Sequence, residues 1–162
     1  MPRILITGGF IVSGDPDSGT LPVADLLIED GTIRAIGPNL AESVRDAERI
    51  DAAGTIVIPG FVDTHRHTWE TVARGLYATC TLDAYLADVV GNLGPNYDPE
   101  DVYAGNLLGA LEALNAGITM MLDWSHCNNT PEHADAGIRG LQESGMRAVY
   151  AYGNQSGPGI WG

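Results

Sequence analysis

Up to about residue 58 the apolar positions come in short runs broken by turn residues, which is a β pattern. "RILITGGFIV" (3–12) gives two β-rich runs around Gly8-Gly9. "ADLLIEDGTIRAIG" (24–37) sets Asp30-Gly31 between two apolar runs, the strongest short signal for a hairpin. "GTIVIPG" (54–60) predicts another short strand, stopped by Pro59-Gly60. Between them, "PNLAESVRDAERIDAAG" (38–54) reads as the least structured stretch, one helical turn and a loop.

After residue 60 strands alternate with helices. "FVDTHRH" (61–67) is an apolar-led strand, and "TLDAYLADVV" (81–90) a short helix with Thr81 as N-cap and Leu82, Tyr85, Leu86 and Val89 on its apolar side. Residues 98–117 predict a longer helix. Asp98 caps it, Pro99 occupies its first position, Glu100 and Asp101 suit the positive end, and Gly117 stops it. Tyr103, Leu107, Leu111 and Leu114 form its expected core stripe, while Gly105 and Gly109 suggest a close helix–sheet approach. "ITMMLDW" (118–124) is a buried strand. A helix from Thr130-Pro131 to Gly145, with Ile138 and Leu141 inward, precedes the strand "MRAVYAYG" (146–153). This order predicts consecutive βα units on a parallel sheet, with strands near 61–67, 118–124 and 146–152. The sequence then runs out at "GPGIWG" (157–162) with no helix to cover the last strand. The expected organisation is a β segment over 1–58 and three βα units over 59–162.

Composition narrows the function classes. Hydrophobic residues make up 44% and charged residues 18%, with a mean hydropathy of zero, so the chain is globular rather than disordered. The 21 acidic residues outnumber 8 basic ones, for a net charge of −13, which disfavours nucleic acid and anionic membrane surfaces as partners. No apolar run approaches the roughly 20 residues of a bilayer span. Cys80 and Cys127 are far apart and form no C-x-x-C pattern. With no secretory leader at the N-terminus, a reducing cytoplasm is the expected compartment. No G-x-G-x-x-G or P-loop follows any strand, which argues against a nucleotide-binding doubly wound sheet.

The chemistry gathers in "PGFVDTHRHTWE" (59–70). His65 and His67 alternate onto one side of a strand, with Cβ atoms roughly 7 Å apart, so two imidazoles can converge on one metal ion. They also sit at the C-terminal end of a parallel strand, the edge where α/β proteins gather their sites.

With "DLLIEDGTIRAIG", "IVIPGFVDTHRH", Arg74-Gly75-Leu76 at the following spacing, and "GITMMLDW", the chain resembles the amidohydrolase superfamily. The branch it is similar to comprises deaminases and chlorohydrolases acting on nucleobases, S-adenosylhomocysteine and triazines. The resemblance implies an α/β fold, the N-terminal part of a (β/α)8 TIM-type barrel of about three strands, preceded by a small β-sandwich segment. It implies one divalent metal, zinc ahead of iron, that activates a water to hydrolyse carbon–nitrogen bonds other than peptide bonds in a small heterocyclic substrate. His65 and His67 map onto the two first-strand metal ligands. Glu70, Trp69, Tyr85 and His126 are candidate substrate contacts at the pocket mouth, and Asp123 a carboxylate that orients the histidines by hydrogen bonding. The family's further ligands and its acid/base catalyst follow later strands, beyond Gly162; His126 and His133 do not match them by position, and His133 is expected on a helix surface. The competing expectation is a truncated, non-catalytic portion of such an enzyme. Its open parallel edge would favour low stability and a homo-oligomer.

Overall fold

The computed structural model describes residues 3–153, so the terminal "GPGIWG" lies outside the described residues. The chain divides between Pro59 and Gly60 into two compact units.

The first unit is a five-stranded sheet. Its strands β1 (Arg3–Val12), β2 (Thr20–Glu29), β3 (Thr32–Gly37) and β4 (Glu48–Asp51) lie in the order β3-β2-β1-β4, and β5 (Ile56–Val57) pairs with β1 beyond β4. The β2–β3 hairpin turns through Asp30 and Gly31, both at positive φ (54° and 73°), as an Asp-Gly turn of the twist-matched kind requires. "RILITGGFIV" is one strand rather than two runs: register against β2 jumps between Ile6 and Gly9, so the glycine pair forms a bulge within β1. The stretch 38–54 contains the expected helical turn, α1 (Leu40–Ser43), and also a strand the sequence pattern did not suggest. All four residues of β4 are exposed, so nothing in its hydropathy marks it; parallel pairing of Ile4–Thr7 with Glu48–Asp51 makes it a strand. Leu5, Leu27 and Val44 pack on one side of this sheet, and Ile11, Ala24 and Leu26 form a second cluster.

The second unit carries three parallel strands, β6 (Phe61–Arg66), β7 (Ile118–Ser125) and β8 (Arg147–Tyr152), in the order β6-β7-β8. A 3-10 turn (Thr68–Ala73) follows β6. Next come α2 (Leu82–Tyr85), capped by the Thr81 side chain, and a π-helical continuation (Leu86–Leu93). The long helix α3 (Pro99–Asn115) opens on a capping box: Asp98 accepts from the Glu100 and Asp101 amides, and Asp101 accepts from the Asp98 amide. Helix α4 (Pro131–Ser144) ends at Gly145 with φ 76°. Among the described residues no helix is long and apolar enough to cross a membrane.

The packing face of α3 differs from the expected leucine stripe. Val102, Gly105, Asn106, Gly109, Ala110 and Ala113 are buried; of the expected stripe, Leu111 is exposed, Tyr103 and Leu107 are half-buried, and Leu114 is half-buried against the cluster of Ala110, Ala113 and Met121, while Leu108 is exposed. Small residues win this face because the neighbouring backbone comes too close for larger ones. A Cβ on Gly105 would lie 2.5 Å from the Trp69 carbonyl oxygen, and one on Gly109 would meet Thr71 Oγ1 at 2.4 Å. The close approach is therefore between α3 and the turn after β6. His133 is also not on a surface. It is buried at 5% exposure, its ring held between the Thr130 hydroxyl and the Tyr97 carbonyl at 2.9 Å each.

Gly105→Ala raises intrinsic helix propensity by about 1 kcal/mol. The new Cβ nonetheless meets backbone that has no room to move, and overpacking of this kind costs roughly 1–3 kcal/mol. We expect net destabilisation in a urea melt, with the midpoint lowered and the slope unchanged.

Candidate metal and substrate site

β6 delivers the two histidines where its register breaks. Asp63 pairs with Met121 and Arg66 with Asp123, so β6 spends three steps where β7 spends two. The bulge falls on Thr64 and His65, and the Asp63 carboxylate accepts from the His65 amide at 3.2 Å. His67 lies just past the strand as N-cap of the 3-10 turn. The two rings end 5.0 Å apart, edge to face at 80°.

His67 is the better anchored of the pair. Its Nδ1 meets the Trp124 carbonyl at 2.8 Å. A carbonyl only accepts, so Nδ1 carries the proton, and in the neutral ring Nε2 is then the nitrogen with the lone pair. That is how a metal-binding imidazole is normally oriented. The next residue, Thr68, donates its amide to Asp123 Oδ1 at 3.0 Å, and Asp123 Oδ2 accepts from the Asn106 side chain at 3.1 Å. Asp123, Thr68 and Asn106 have no exposed surface. Burial pushes the Asp123 carboxyl up, opposed by the Thr68 and Asn106 hydrogen bonds. The structure thus places Asp123 behind the histidine turn.

The other candidates form a second group next to the pair. The His126 ring lies 4.2 Å from that of His67 and 5.4 Å from that of Trp69. Its Nε2 stands 3.8 Å from Glu70 Oε1, and Tyr85 donates its hydroxyl to the same Oε1 at 2.5 Å. Burial raises the Glu70 carboxyl, against the Tyr85 hydrogen bond; burial and then the Glu70 carboxylate raise the Tyr85 phenol. Glu70 and Tyr85 open onto a cleft of about 230 Å³ shared with Ala73, Arg74, Tyr77 and Val89. Trp69 is displaced from its expected position at a pocket mouth. Its indole is fully buried with Val89, Val102 and Cys127, edge to face with Tyr97 at 5.2 Å. A large apolar ring in a turn covered by α3 gains more from burial than a mouth position offers.

Two contributors were not singled out from the sequence. Trp124 supplies the carbonyl for His67, and its indole stands 5.0 Å from the His65 ring and 5.5 Å from that of His67. Asn106 is a buried amide amid small residues on α3. The available signal was one polar residue, directly after Gly105, where the helix periodicity demands burial.

Among the described residues no group of three His, Cys, Asp or Glu side chains converges as a metal site. The donor chemistry fits a zinc-type ion as far as it goes: two imidazoles 5.0 Å apart, one with its Nε2 lone pair set by a carbonyl.

A sequence model of the amidohydrolase family matches residues 56–157. The 5'-deoxyadenosine deaminase of Methanosarcina acetivorans is 33% identical over 153 residues, 94% of this chain and 34% of that protein. The 5-methylthioadenosine/S-adenosylhomocysteine deaminase of Symbiobacterium thermophilum is 35% identical over 154 residues, with the same coverage of 94% and 34%. Among solved structures, a mutant of the Arthrobacter aurescens TC1 atrazine chlorohydrolase, complexed with zinc and atraton, superposes with a TM-score of 0.76. Its identity is 28%, over 90% of this chain and 34% of that one. The chain spans about a third of the length of the curated relatives it matches.

His126 yields a pH prediction. Burial, with His67 and His65 nearby, pushes its imidazole down from 6.5 to about 4. Between those values the unfolded state binds more protons than the folded one. This group's contribution to stability therefore falls as pH drops from about 6.5 to about 4, by no more than about 3 kcal/mol, and is flat above 6.5. The raised Glu70 and Asp123 carboxyls act in the opposite sense. The His126 share is the difference between the pH–stability curves of wild type and His126→Gln. An NMR titration should find the His126 ring still neutral at pH 5.5.

Proposed function

The chain belongs to the amidohydrolase family, and on that footing we propose that it supplies the first-strand half of the metal site of a hydrolase. The reaction is cleavage of carbon–nitrogen bonds other than peptide bonds, and more narrowly deamination of a flat heterocyclic substrate. One observation carries most of this reading: His65 and His67 converge at a strand end, and the Trp124 carbonyl leaves the His67 Nε2 lone pair available.

In this reading His65 and His67 hold one divalent ion, zinc ahead of iron. When bound, such an ion supplies a water activated for attack near neutral pH. The chain's own residues position the reactants. Asp123 holds the turn that carries His67 through the Thr68 amide. Glu70, steadied by Tyr85, presents an acceptor-only carboxylate to the N–H groups of a heterocycle at the cleft. His126, neutral at working pH, stands between that carboxylate and His67, and Trp69 supports it from the core. The three parallel strands are proposed as the opening of a (β/α)8 barrel and the first unit as part of a β-sandwich. Cys80 and Cys127 as thiols fit a cytoplasmic enzyme.

A second reading, that the 162 residues alone are non-catalytic, is favoured by the site's having two converging imidazoles where stable zinc sites use three or four protein ligands. The exposed Phe61, Val62, Val149 and Tyr152 on β6 and β8 would then be surfaces for self-association into a homo-oligomer.

The deciding measurement is ammonia release from a panel of aminated purines, pyrimidines and triazines, alongside metal content. In an active protein carrying this chain, His65→Ala and His67→Ala should each lower kcat/KM by at least about a thousandfold with loss of bound zinc. Full activity in either variant would exclude the metal assignment. Zinc bound by the 162 residues alone at sub-micromolar affinity would overturn the incomplete-site reading.

A further inference from the structure

Asn106 is an amide with no exposed surface in the middle of α3, facing a layer otherwise made of glycine, alanine and valine. Burying an amide costs free energy unless its hydrogen bonds are made inside. Here the nitrogen makes two, to Asp123 Oδ2 at 3.1 Å and to the Gly137 carbonyl at 3.2 Å, while Oδ1 has no partner among the described residues. Packing alone would be served better by an apolar residue, so the selective feature is the pair of donors and where they point.

One of them points at the carboxylate behind the histidine turn. Asp123 and Trp124, adjacent on β7, grip the adjacent residues His67 and Thr68. The Trp124 carbonyl takes the His67 ring Nδ1–H at 2.8 Å, and the Asp123 carboxylate takes the Thr68 amide at 3.0 Å. The grip works only if the Asp123 carboxylate stays in one orientation, and the group turning it toward Thr68 from the other side is the Asn106 amide. Its second donor ties the same point to α4 through Gly137. That glycine has no room for a Cβ, which would lie 2.9 Å from Asn106 Nδ2. Helices α3 and α4 are thereby both referenced to the residue after His67.

We infer that Asn106 is a positioning residue for the histidine pair: acting through Asp123 and the Thr68 amide, it keeps His67 against the Trp124 carbonyl in the Nδ1–H tautomer, whose Nε2 carries the lone pair a metal requires. The inference deepens the metal-site reading above and rests on it for its purpose, but its physical content is a tautomer.

That content can be measured on the full chain without metal or turnover. Long-range 1H–15N correlation spectra should show the wild-type His67 ring as the Nδ1–H tautomer, with the Thr68 amide among the slowly exchanging ones. In Asn106→Leu, which keeps the branched shape and removes both donors, the ring should shift toward the Nε2–H form favoured by an unconstrained imidazole. Thr68 exchange should accelerate at least tenfold while the α3 methyl signals stay dispersed. Asn106→Ser, too short to reach Asp123, should do the same and serves if the leucine variant does not fold. An Nε2–H ring in wild type, or an unchanged tautomer in a folded variant, would overturn the inference. A zinc titration separates it from the metal reading. Loss of 10–100-fold in zinc affinity in the variants supports both. A tautomer shift in the variants when the wild-type chain binds no zinc supports the positioning role by itself, and the metal assignment is then decided by the His65→Ala and His67→Ala kinetics above.

Discussion

A carboxylate with no exposed surface has to be neutral or hydrogen-bonded on both oxygens, and the second unit is organised around the way Asp123 meets that condition. Its partners come from different parts of the chain: the Thr68 amide from the turn after β6, and the Asn106 amide from α3. Both oxygens are satisfied only if that turn, that helix and β7 meet at one point. The glycines of α3 follow from this. With Gly105 against the Trp69 carbonyl and Gly109 against Thr68 and Thr71, the helix axis comes close enough for Asn106 to reach. Larger side chains on that face would hold α3 away and strand the carboxylate. The exposure of Leu108 and Leu111 is the complement of that arrangement.

The neighbouring ionisable groups obey the same rule in a different way. His126, Glu70 and Tyr85 lie within one contact of each other, and burial favours the uncharged form of each. A neutral imidazole between the paired histidines and Glu70 avoids placing a positive charge beside His67. A divalent cation held by His65 and His67 would favour neutral His126 and ionised Glu70 by simple Coulomb attraction and repulsion. His126 is thus already in the form that a cation at the pair favours, and Glu70 is the group whose charge such a cation would shift, against its burial.

Much of this was legible in the sequence because it rests on local signals. Asp30-Gly31 dictates its hairpin, Asp98-Pro99 and Gly145 mark helix ends, and the apolar runs of β6, β7 and β8 mark a parallel sheet. His65 and His67 stood out through their spacing. What escaped was set by tertiary contact. β4 has no buried residue and exists through pairing with β1. Trp69 was expected at the pocket mouth because it follows the histidines, and His133 on a surface because it starts a helix, yet α3 covers the first, and the Thr130 hydroxyl and Tyr97 carbonyl satisfy the second. The leucine stripe of α3 holds only in part, Leu114 packing on the core and Leu111 exposed, because hydropathy favours large apolar side chains whereas the most buried face of this helix selects for smallness. The Trp124 carbonyl was invisible because a backbone acceptor has no sequence signature, and the signal at Asn106, a lone polar residue beside Gly105, was overlooked because an asparagine in a helix has many uses.

The first unit provides the control that gives the Asp123 arrangement its meaning. Asp25 is also buried, at 6% exposure, and also spends its two oxygens on amides, those of Gly8 at 2.9 Å and Ala41 at 3.0 Å. There the carboxylate fixes a bulge in β1 and the start of α1. No histidine is adjacent to either amide, so the result is purely architectural. A buried aspartate gripping backbone is therefore no mark of a functional site. What distinguishes Asp123 is the residue before the amide it holds: His67, whose ring is bound to the carbonyl of the residue after Asp123. The same device that elsewhere only shapes a sheet here fixes an imidazole in one tautomer and one place. The proposal of a metal site at His65 and His67 rests on that coincidence more than on the H-x-H spacing alone.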